Sequence, residues 1–158
     1  VLVRTLAVSA ALTLLFFAFG LGRSAYRDDV AIINEEMVAA AAWIQMNLPA
    51  DELLAIHDVG AVGYFAPRPQ LLDIAGLVSP ELIPIVADGD ALWQMMEARG
   101  ALYLMAFPDQ IPGRNSEDAR LCLLYRSSGA TSARIGGPAM AVYRLAFEGV
   151  CPEGAGAS

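Results

Sequence analysis

Three side chains in the stretch LLAIHDVGAVGYFAPRPQLLDIAGLVSP have the chemistry of a site: His57, Asp58 and Asp73. His57 and Asp58 follow a short apolar run at residues 53–56, and Asp73 falls near the end of a second run at residues 70–74. If both runs are strands of a parallel pair, their polar ends share one rim, the carboxyl edge at which open α/β sheets bind ligands. Two carboxylates and an imidazole on that rim would suit sugar binding or acid–base work. Tyr64 and Arg68, between the runs, complete the candidate ligand- or acceptor-binding set. A structural reading competes and carries more weight. Asp58 is placed to cap a helix beginning near Gly60. Asp73 is placed to accept from the turn at residues 75–77 or to pair with Arg68. Gly60, Gly63 and Gly76 are read as structural turn residues, and a side chain at Gly60 or Gly63 is expected to crowd the neighbouring strand.

Several chemistries are excluded by pattern. Gly60 and Gly63 make a GxxG without the third glycine or the distal acidic residue of a dinucleotide fingerprint. No GxSxG, HExxH or Walker pattern occurs. His57 is the sole histidine, and Cys122 and Cys151 lie in no CxxC, so no metal site is read and no catalytic residue is assigned. The two cysteines admit one bridge, or one buried thiol at Cys122 and one exposed thiol in the tail. Net charge is −7, with every basic residue an arginine. That acidic balance, without an aromatic-plus-basic stripe, argues against nucleic acid as a partner.

The elements that must position these residues follow from periodicity. Residues 5–22 carry no charge and lie between Arg4 and Arg23. As a helix they reach about 27 Å at 1.5 Å per residue, the lower limit of a membrane span. A signal peptide and a buried core helix are the rival readings. Arginines on both sides leave the orientation undecided. Asp28 and Asp29 read as the N-cap of a second helix that ends before Pro49. Ile33, Met37, Ala40, Ala41, Ile44 and Leu48 form its apolar face, with Asn34, Glu35 and Glu36 off it. Trp43 is expected in the core. Ser79–Pro80 reads as a cap and first helical position, and residues 91–99 as a helix stopped by Gly100. Residues 101–107 and 121–125 read as strands. Residues 127–138 read as a surface loop or wide hairpin, and residues 140–147 as a final antiparallel strand at the sheet edge. Residues 150–158 read as a disordered tail.

The pattern Asp58-Val-Gly60-Ala61-Val-Gly63-Tyr64-Phe65, followed by Asp73-Ile-Ala-Gly76-Leu77-Val-Ser-Pro80, resembles the C-terminal extracytoplasmic domain of bacterial GT-C type glycosyltransferases. Those enzymes use polyprenyl-phosphate-linked sugars and are similar to the protein mannosyltransferases. The resemblance spans residues 14–107. It implies a C-terminal fragment of a membrane enzyme, with the domain outside the cytoplasm and accessory rather than catalytic. The catalytic carboxylates would lie in loops between N-terminal membrane helices, outside this chain. The implied partners are the membrane, that N-terminal portion and a lipid-linked sugar donor; no cofactor is implied in the fragment. Opening on Val1, the chain reads as a fragment or a processed product. The expected fold is α/β: a small, mostly parallel sheet with flanking helices (residues 26–149), preceded by one transmembrane helix (residues 1–25). A single-span, membrane-anchored binding or interaction module is the alternative. A free-standing hydrolase using Asp58 and Asp73 is the third reading.

Overall fold

A computed structural model describes residues 1–67 and 69–151. Helix α1, Leu2–Asn47, runs unbroken for 46 residues, about 69 Å at 1.5 Å per residue. Its N-terminal stretch has the length and composition of a membrane anchor or signal sequence. No cap interrupts it at Asp28 or Asp29, where the sequence suggested a new start. Instead Asp28 pairs with Arg134 at 3.0 Å. Alanines at 39–42 and the absence of proline or glycine after Gly22 let the helix continue.

A π-type turn at Ile33–Val38 alters which face of α1 is buried. Such a turn takes in an extra residue and rotates the helix surface across it. Ile33, placed on the apolar face by simple periodicity, is exposed, and Glu36, placed off it, is fully buried. The Ser127 hydroxyl and the Met140 N–H, the latter at 2.9 Å, both donate to Glu36. Neighbouring Glu35 accepts from the Thr131 N–H at 2.7 Å and its hydroxyl at 2.9 Å. Beyond this turn Ala40, Ala41, Ile44 and Leu48 pack on the sheet, as their spacing suggested. Trp43 is half-buried and stacks on Tyr125 with ring centroids 5.4 Å apart.

Five strands follow: β1 (Leu53–Ile56), β2 (Gln70–Asp73), β3 (Tyr103–Ala106), β4 (Leu121–Arg126) and β5 (Ala141–Leu145), in the order β2-β1-β3-β5-β4. β1 pairs in parallel with β2 and β3, whereas β5 is antiparallel to both β3 and β4. The sheet is therefore mixed rather than mostly parallel. β5 is antiparallel as expected but lies inside the sheet, and β4 takes the edge. Burial decides this: Ala141, Val142, Tyr143 and Leu145 are all buried, which requires cover on both sides of the strand.

Helices cover both faces. α1 and α2 (Val59–Phe65) pack on the side of Leu54, Ile56, Tyr103 and Met105. α3 (Gly89–Arg99) packs on the side of Ala55, Leu72, Leu104 and Tyr143. The expected loop between β4 and β5 holds a short helix, α4 (Ala130–Ile135), which ends at left-handed Gly136. Gly100, also left-handed at φ 74°, ends α3 as its sequence indicated.

Residues 48–52 turn the chain directly from α1 into β1, so β1 runs back alongside the helix. The hydrogen bonds of Met140 and Ser127 to Glu36 place the start of β5 beside the middle of α1. Ala141 pairs with Ala106, the last residue of β3. The carboxyl ends of the parallel strands therefore point toward the apolar half of α1.

Cys122 and Cys151 form a disulfide, which replaces the reading of two free thiols and ties the chain after β5 back to β4. Residues 152–158 of the expected tail lie outside the described residues. A disulfide suggests an extracytoplasmic domain.

Three outcomes test this account. A Cβ at Gly129 would collide with the Glu36 carboxylate and come within 3.0 Å of the Glu35 Cβ, so Gly129→Ala should cost about 1–3 kcal/mol by overpacking. Glu36→Ala should destabilise comparably by leaving the Met140 N–H without an acceptor. Denaturant midpoints measure both, and midpoints equal to wild type would contradict the buried contact. Reducing the disulfide, whose cysteines are 29 residues apart, should lower stability by about 3–4 kcal/mol on loop-closure grounds. Unfolding with and without reductant measures that loss.

Candidate functional site

A crevice of about 550 Å³ opens at the carboxyl ends of β1, β2 and β3. It lies where the chain order reverses: β1 leads to β2 on one side, and β3 takes the place on the other. Connections diverge at such a point and leave a gap above the strand ends. His57 leads into it from β1, and Ile74 and Ala75 from β2. Leu92 of α3 supplies apolar wall. Asp109 and Arg114 come from the segment after β3.

That segment is held closely against α3. A Cβ at Gly89 would fall 2.5 Å from the Gly113 nitrogen and 2.8 Å from its Cα, so only glycine allows the approach. The Trp93 indole N–H donates to the Pro112 carbonyl at 3.1 Å. Arg120 lies over the Trp93 ring at 4.1 Å and pairs with Asp118 at 2.6 Å. This bond holds the Asp118 carboxyl below, and the Arg120 guanidinium above, their ordinary ranges. The Gln110 side chain accepts from the Phe107 N–H at 3.1 Å. At the tip Gly113 has φ 75° and Arg114 φ 55°. A left-handed arginine is uncommon and strained, and such residues concentrate at binding sites.

The structure separates the residues suggested by sequence. His57 lines the crevice. Asp58 faces α2, where it accepts from the Gly60 N–H at 3.0 Å and caps the helix. Asp73, 2% exposed, accepts four backbone N–H groups: Ala75 and Gly76 at 2.9 and 3.1 Å, Val78 and Ser79 at 2.7 and 3.0 Å. Its carboxylate shapes the whole turn after β2. Tyr64 is exposed, set edge-on to Phe65 at 4.8 Å, and is not part of the crevice wall. Arg68 lies outside the described residues. Ser79 occupies a cap position before the 3₁₀ turns of Pro80–Ile85, but its side chain makes no capping bond.

The glycines differ as well. Gly76 has φ +75°, and a Cβ there would meet Ile83 Cγ1 at 3.1 Å. Gly60 is tighter than usual against Asp58 Oδ1, at 3.3 Å. A Cβ at Gly63 would meet only Leu71 Cδ1 at 3.9 Å, an ordinary contact. Neither is therefore crowded by the neighbouring strand: Gly60 meets its own capping Asp58, and α2 turns Gly63 to solvent.

Periodicity singled out neither Asp109 nor Arg114, which reach the crevice from a loop without regular spacing. The Pro112–Gly113 pair beside Arg114 is a turn signal in the sequence. Taken together, the crevice offers an imidazole, a guanidinium and a carboxylate over an apolar floor. Among the described residues lining it there is no hydroxyl or thiol nucleophile. The arrangement is suited to binding a ligand that is part polar and part apolar.

A family model matches residues 21–145, from the end of the apolar stretch through β5. The chain belongs to the family described as a domain of unknown function (DUF8728). No curated protein and no solved structure matches it. The crevice, the Glu35–Glu36 anchor and all five strands of this DUF8728 chain fall within the matched region.

Asp58 and Asp73 should respond differently to substitution. Asp58→Ala should cost about 0.5–2 kcal/mol, with Asp58→Asn close to wild type. Asp73→Ala leaves four part-buried N–H donors without their acceptor, against one for Asp58→Ala, so it should be the more damaging change. Asp73→Asn, with one acceptor oxygen, should fall between wild type and Ala. Equal thermal midpoints for the two alanine variants would contradict this ranking.

Proposed function

We propose that this chain is the accessory, non-catalytic extracytoplasmic part of a membrane glycosyltransferase that draws on a polyprenyl-phosphate-linked sugar. One observation carries the proposal: the crevice lies at the rim of the sheet nearer the apolar half of the helix on which the domain is built. With α1 in the bilayer, an opening on that rim meets a lipid-linked donor or its acceptor where these substrates emerge. Arg114 and His57 offer polar and cationic contacts to a sugar or phosphate. Ile74 and Leu92 offer apolar surface beside them. Asp58 and Asp73 are occupied as backbone acceptors, consistent with catalysis elsewhere in the enzyme. The resemblance of residues 58–80 to the extracytoplasmic domain of GT-C type enzymes supports the same assignment.

A second reading is a single-span, membrane-anchored binding module. The observation in its favour is that the crevice wall is braced within the domain itself, by the Trp93–Pro112 hydrogen bond and the close Gly89–Gly113 approach.

Transfer assays on the full gene product in proteoliposomes, with a polyprenyl-phosphate sugar as donor, separate the two. Arg114→Ala and His57→Ala should raise KM for donor or acceptor and leave kcat and the melting temperature near wild type. If the intact gene product transfers no sugar, the glycosyltransferase reading fails. Direct binding of a soluble glycan under those conditions would then favour the anchored module.

A further inference from the structure

We propose that the loop after β2 is a second membrane contact: Leu77, Val78 and Ile83 insert into the surface of the same bilayer that holds α1. These side chains are 66, 71 and 59% exposed. Isolated exposed apolar residues are ordinary, but several large ones on one short loop mark an interaction surface. Glu81 is the single charge between Ile74 and Ala87.

The loop is held in this form. The four N–H bonds to Asp73 fix residues 75–79, and the left-handed backbone at Gly76 sets the reversal. Gly76 leaves room for Ile83, while Leu82 points inward and is buried. Leu77, Val78 and Ile83 are thus presented outward by a braced turn.

Its position selects a lipid surface as the occupant. The loop leaves the carboxyl rim of the sheet, and that rim faces the apolar half of α1. On the helix, Glu36 lies level with the rim, 14 residues beyond Gly22, or about 21 Å along the axis. The loop leaves the sheet at that rim, and a helix tilt of the usual size, about 20° with a range to 40°, toward the β2 edge brings it closer to the bilayer. Apolar side chains at that depth gain by leaving water. The mouth of the crevice, which Leu77 and Val86 help to line, would then open at the membrane surface.

The inference rests on α1 as a membrane span, and its test checks that separately. Single cysteines are introduced into the full chain, with the native disulfide retained, at Phe16, Met46, Leu77, Val78 and Ile83. All five are exposed, so labelling should not disturb the fold; unchanged melting temperatures verify this. Each carries an environment-sensitive fluorophore in phosphatidylcholine–phosphatidylglycerol vesicles containing nitroxide lipids. The labels at 77, 78 and 83 should be quenched to nearly the extent of the label at 16, while the label at 46, on the far end of α1, should stay in water. Quenching at 16 but not at 77, 78 and 83 overturns the second contact alone. No quenching at 16 overturns the anchor and with it this inference. Labels at 77, 78 and 83 shielded from water but not quenched by lipid would indicate a protein partner and likewise overturn it.

Discussion

Burial of the Glu36 carboxylate sets the geometry of the whole molecule. A carboxylate removed from water is costly unless its oxygens find donors. Here the donors, from residues 127 and 140 at the two ends of the β4–β5 connection, both serve Oε2, while the buried Oε1 has no hydrogen-bond partner among the described residues. Glu35 engages the first turn of α4 in the same segment. Two adjacent helix residues therefore hold a connection about a hundred positions away in the chain. The π-type turn is what lets neighbouring side chains both reach it. Because α1 continues unbroken on either side, fastening its middle to the sheet also fixes the direction in which the sheet points.

The two faces of the sheet divide the remaining work. On one, Ala40, Ala41 and Ile44 let α1 lie close to Leu54, Ile56 and Met105. Small residues at the contact bring the helix near, and nothing on this face lines the crevice apart from strand ends. On the other, α3 and the segment after β3 build the crevice wall through Gly89, Gly113 and the Trp93–Pro112 hydrogen bond. Arg120, covering Trp93, ties that wall to the start of β4. The anchor and the crevice meet through the backbone of β1 and β3, and each can be altered with little direct contact to the other.

Much of this was legible in the sequence wherever a local signal was sufficient. The apolar runs at β1, β2 and β3, the turn residues between them, the cap at Asp58 and the stop at Gly100 all depend on neighbours in the chain. What was hidden depended on distant partners. Glu36 looked like a solvent residue because helical periodicity assumes a constant turn, and the π-type segment breaks that assumption. β5 looked like an edge strand because its partner β4 precedes it and a helix-bearing connection separates them. The disulfide could be stated only as one of two possibilities, since spacing does not reveal proximity. At the site, His57 was found because it ends a strand. Arg114 was not, because a loop residue with left-handed backbone leaves no periodic trace.

The distribution of connections argues for one working rim. At the amino ends of the parallel strands the links are brief: residues 48–52 before β1, 66–69 before β2 and 100–102 before β3. At the carboxyl ends β1 passes through residues 57–58 straight into α2, but the chain departs into long segments at 74–88 after β2, 107–120 after β3 and 127–140 after β4. Long connections are tolerated where a binding surface is built and are otherwise uncommon in a compact domain. Each of the three has its own brace: Asp73 for the first, Trp93 with Gln110 for the second, Glu35 and Glu36 for the third. Bracing at this density holds exposed side chains such as Leu77 and Arg114 in fixed positions, as recognition at a surface requires. The same rim faces the apolar half of α1, so the most elaborated part of the domain is also the part turned toward that apolar stretch.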